Sequence, residues 1–78
     1  MPADPQLPPE NQARRQTVAT RLLAQAVHAS YAIERLQHLA ANIPDSDLTA
    51  QTEVADAITI MTTVRATLIH NADRLANP

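Results

Sequence analysis

Between Asn11 and Asn42 the chain has neither proline nor glycine, and apolar side chains recur at steps of four and three: Leu22, Ala26, Ala29, Ile33, Leu36, Ala40 and Ile43. With about 3.6 residues per turn, these steps bring every member to one side of an α-helix, whereas a half-buried strand would alternate with period two. Val18, Ala32 and Leu39 widen the stripe on one flank and Leu23 on the other. That width suits a helix in a bundle better than a narrow two-stranded seam. The pattern predicts a first helix over about residues 10–42.

The same rhythm returns at Ala50, Val54, Ala57, Met61, Val64, Leu68 and Leu75, interrupted by Asn71 and widened by Ile58 and Ala72. It predicts a second helix over about residues 48–76, ended by Asn77 and Pro78. Thr52, Thr59, Thr62, Thr63 and Thr67 weigh against it, because a β-branched side chain loses rotamer freedom in a helix. The unbroken periodicity outweighs that loss. Residues 43–47 form the turn: Pro44 disfavours helix at the residue before it, and Asp45, Ser46 and Asp47 offer caps for the next helix. Residues 1–9, with Pro2, Pro5, Pro8 and Pro9, read as a disordered, proline-rich tail.

Two long helices joined by so short a turn lie antiparallel, so the fold class is all-α, a long helical hairpin over residues 10–78. Each helix is apolar over almost half its circumference, and a single neighbour covers only part of that. Self-association into a four-helix bundle, a homodimer of hairpins, is the simplest way to hide the rest. The expected core and dimer seam comprises Leu22, Ala26, Ala29, Ile33, Leu36 and Ile43 on the first helix and Val54, Ile58, Met61, Val64, Leu68 and Leu75 on the second.

Composition removes many functions. The 78 residues include no Cys, which excludes disulfides, thiolate zinc sites and cysteine nucleophiles. They include no Gly, which excludes the glycine-rich phosphate loops and the nucleophile elbow. Six arginines and no lysine stand against eight acidic residues, for a net charge of −2, and Tyr31 is the only aromatic residue. Nucleic-acid binding, which needs a basic stripe and for single strands aromatic platforms, is therefore not expected. The chain opens on Pro2, Ala3, Asp4 and Pro5 with no basic and apolar leader, and no apolar run approaches the roughly 18 residues of a membrane span. The expected location is the cytoplasm, with a virion or signal-less secretion as alternatives. The small acidic chain, free of lysine and rich in alanine, also points to a high-GC bacterial or phage genome.

Charge is split along the chain. Arg14, Arg15, Arg21 and Arg35 lie on the first helix, while Asp45, Asp47, Glu53 and Asp56 cluster at the turn. In an antiparallel dimer the basic end of one hairpin would lie over the acidic end of the other, with Arg14, Arg15 or Arg21 pairing across the interface.

Four constellations bear on chemistry. The segment Arg65-Ala66-Thr67-Leu68-Ile69-His70 resembles the active-site segment of HEPN ribonucleases and toxins, helical dimers in which Arg and His from two chains meet to cleave RNA. The resemblance covers about a dozen residues and implies Arg65 and His70 as the catalytic pair. Read from the helix alone, a five-residue step turns the two side chains far apart, leaving Arg65 to snorkel at the seam edge and His70 in solvent. Glu34 and His38 are spaced for a metal but lack a third ligand, so no metal is expected. Pro44-Asp45-Ser46-Asp47-Leu48 resembles the phosphopantetheine site of acyl carrier proteins, with Ser46 better read as a cap. Arg21, His28, Tyr31 and Arg35 form the candidate partner-binding face, because interface anchors are enriched in Tyr and Arg.

The sequence thus reads as a non-enzymatic protein-interaction module: a small adaptor, regulator or assembly element. It is expected to pair with itself and with another protein, and to use no cofactor, nucleic acid, membrane or small-molecule substrate. The competing readings are an RNA-cleaving protein using Arg65 and His70 across a dimer, and a secreted or virion structural subunit.

Overall fold

A computed structural model of the chain describes residues 9–77. Its regular structure is two helices, α1 over Pro9–Ala41 and α2 over Leu48–Ala76. They run antiparallel along each other, tied at one end by Arg15 and Leu75, near the middle by Ser30 and Arg65, and at the turn by Pro44 and Gln51. The fold is an all-α helical hairpin. Of the expected tail, residues 1–8 lie outside the described residues. Pro9 is already helical, at a position where a missing N–H loses no helical hydrogen bond, and Glu10 complements the positive end of the helix.

Each boundary has a local cause. The last turn of α1 tightens through Asn42 N donating to Leu39 O at 3.0 Å and Ile43 N to Ala40 O at 3.3 Å, after which Pro44 stops the helix. The α2 cap is Asp47 rather than Ser46: its Oδ1 accepts from Ala50 N at 3.0 Å. With α2 starting at Leu48, Ala50 is the third helical residue, the donor an N-cap carboxylate reaches, and Ser46 sits one residue too early. Three of the threonines of α2 also find partners. Thr59, Thr62 and Thr63 donate to the carbonyls four residues back, at 3.1, 2.7 and 3.1 Å, so these hydroxyls are satisfied within the helix.

The interior is thin. Ala19, Ala26, Ala29, Ile33 and Ala72 are the buried apolar residues, and Ile33 is the one large side chain among them. Along α1 and just past its end, the line Arg15, Ala19, Leu22, Ala26, Ala29, Ile33, Leu36, Ala40, Ile43 is buried or half-buried throughout, so the four-and-three stripe extends two steps upstream of Leu22. Alanines along it allow the helices a close approach.

On α2 the facing line differs from the expected one. It runs Val54, Ile58, Met61, Arg65, Leu68, Ala72, Leu75, with Ala72 only 1% exposed, while Val64, expected in the seam, is 40% exposed. Neighbouring positions differ by about 100° of rotation, and the contact that buries Ala72 turns Arg65 inward and Val64 toward the flank.

Candidate interaction surface

The contact line divides the outer surface of the hairpin into two faces. On one, a groove of about 530 Å³ is lined by His28, Tyr31, Ala32, Arg35 and Leu36 of α1 with Ala57 and Met61 of α2. Three members of the expected partner-binding group therefore meet around one groove. Arg21 does not line it but stands two turns upstream on the same side of α1. Arg14, Arg21, His28 and Arg35 follow one another at steps of seven and are all exposed, forming a single row along the helix. Beside this row lie Val18 and Leu39, and across the groove Ile60 and Val64 of α2, all exposed.

The opposite face is marked by Arg65, whose Nη1 donates to Ser30 Oγ at 3.5 Å. Leu23 and Val27 of α1 and Ile69 of α2 share this side, 46 to 52% exposed. It carries no cationic row. Val27 and Ile69 were missed as surface features because neither belongs to the main stripe of its helix.

The candidate catalytic pair is brought together only loosely. Arg65 and His70 both line an open depression with Thr62, Ala66, Ile69 and Asp73, but the Arg65 guanidinium is directed at Ser30 across the helix pair, and His70 is exposed. Glu34 and His38 are exposed on α1, and no group of three or more metal-ligating side chains occurs among the described residues. No helix among them is long and apolar enough to cross a membrane.

Arg15 has a role within its own chain. Its Nε donates to Leu75 O and its Nη2 to Arg74 O, both at 3.3 Å, and Gln16 Nε2 donates to Ala76 O at 3.0 Å. A cation therefore sits at the negative end of α2 and satisfies carbonyls that the helix leaves unpaired. Within one hairpin, Arg15 is thus held to the end of α2. The sequence signal was its place on the four-and-three line of α1, beside the end of an antiparallel partner. Replacing Arg15 with Ala is expected to lower stability by about 1 to 2 kcal/mol, from two charge-assisted bonds in a partly wet setting and the lost dipole interaction. Chemical denaturation measures this, and the matched Arg14→Ala variant should stay within about 0.5 kcal/mol of the original.

No protein-family model matches the chain, and no match is found among curated proteins or solved structures.

Proposed function

We propose that this chain is a non-enzymatic protein-interaction module whose hairpins pair, as a homodimer, into a four-helix bundle. One observation carries the reading: the described residues bury a single large apolar side chain, while nine others from Val18 to Ile69 are 40 to 69% exposed on both faces. A hairpin with so little interior has a small stability margin, and apolar side chains grouped on a small chain mark contact surfaces. Pairing of hairpins removes one face from water and supplies the missing core. The second face remains for another protein, which fits an adaptor, regulator or assembly element. The direction of Arg65 toward Ser30 supports a packing role for that residue over the ribonuclease reading. The molar mass of the chain in solution tests the proposal, with two chains per particle expected.

A further inference from the structure

The two faces of the hairpin differ in charge, and that difference selects an occupant for one of them. Along the groove face, Arg14, Arg21, His28 and Arg35 occupy one edge of α1 at strict seven-residue steps, a row of about 32 Å at 1.5 Å per residue. The apolar floor next to the row is built by Ala32 and Leu36 of α1 and Ala57 and Met61 of α2. Three arginines on a seven-residue repeat, with His28 at its third place, beside an apolar strip are the arrangement with which a helix selects a partner helix: the strip takes its apolar stripe and the charged edge selects the opposite charge. Arg14 and Arg21 are not used as Arg15 is. They lie off the contact line, and the bonds to the end of α2 come from Arg15 and Gln16.

We infer that this groove is the docking site for an amphipathic helix of another protein that carries glutamate or aspartate along one edge. A second copy of the chain matches the row poorly. Most of its own acids, Asp45, Asp47, Glu53 and Asp56, gather at the turn end, while among the described residues the far end sets Arg14, Arg15 and Arg74 against Glu10 and Asp73. An antiparallel copy would therefore set acids over Arg14 and Arg21 but leave Arg35 against an end whose described residues carry one more arginine than acid. The opposite face, with Leu23, Val27 and Ile69 near mid-hairpin and no cationic row, is the one left for self-association. The inference rests on the chain being an interaction module, and the mass measured in the same samples separates its failure from that of the dimer.

The test uses the full chain and two synthetic helices of about four heptads, identical in their leucine and alanine stripe, one with glutamate along its edge and its twin with lysine. Because the chain has no cysteine, Ile60→Cys on the groove face and Ile69→Cys on the other each accept one fluorophore. The expected result is that the glutamate helix binds at least tenfold tighter than its twin at low salt, and that the gap narrows at high salt. The label at position 60 should respond and that at 69 should not. The Arg21→Glu, Arg35→Glu variant should lose the preference while keeping the original molar mass. Equal affinity for both helices, binding to neither, or a response confined to position 69 would overturn the inference. So would conversion of the double variant to a single-chain mass, which would give the groove to a second copy.

Discussion

Truncating Ile33 to alanine is expected to remove about 2 to 5 kcal/mol of stability, the range for a buried aliphatic side chain replaced by alanine where the surroundings collapse only partly. Ile33 is 6% exposed and is flanked on the buried line by Ala29 and Leu36. Alanines have no side-chain length with which to refill a gap, so the cavity should persist. For a chain of this size a single core rarely supplies more than about 3 to 5 kcal/mol, so the variant should be largely unfolded at room temperature unless association rescues it. Helical circular dichroism during denaturation measures the loss. A shift in midpoint equivalent to less than about 0.5 kcal/mol, the range of a surface change, would mean that Ile33 does not sit in the interior.

The second large effect is expected from enlarging Ala72. At 1% exposure it is the most enclosed residue of α2, on a contact line where α1 comes close through Ala19, Ala26, Ala29 and Ala40. Ala72→Leu adds three carbons where the facing helix leaves no room, and overpacking of this kind typically costs about 1 to 3 kcal/mol through backbone shifts and off-rotamer side chains. Leucine forms helix nearly as well as alanine, so loss of helix propensity contributes little. Ala66→Leu, at an exposed position of the same helix, is the control and should change stability by less than about 0.5 kcal/mol. Equal effects at the two positions would place the helix contact elsewhere on α2.

Both variants probe features that the sequence reveals to different degrees. The α1 line is legible because Leu22 to Ile43 keep an apolar residue at every step, so only one rotation of the helix can be its inner face. On α2 the true line contains an arginine, and a purely apolar template passes over Arg65 to Val64. A long side chain can hold a facing position when its stem packs and its guanidinium finds an acceptor, here the Ser30 hydroxyl, and no local pattern on α2 announces that acceptor. Arg15 escapes the template for the same reason. The choice between Ser46 and Asp47 as cap rests on a one-residue difference in where α2 begins, which the run Asp45-Ser46-Asp47 leaves open. The candidate surface was partly legible, since the seven-residue spacing of Arg14, Arg21, His28 and Arg35 is plain in the sequence. The groove beside it depends on which residues of α2 lie opposite and emerged only with the hairpin's register.

In the proposed assembly one hairpin is half of a packed unit. Light scattering coupled to size exclusion, at micromolar concentration and moderate salt, tests this most directly. The predicted result is a molar mass of twice the 8.5 kDa of one chain. A mass of one chain, with the helical signal of α1 and α2 intact at the same concentration, would contradict it.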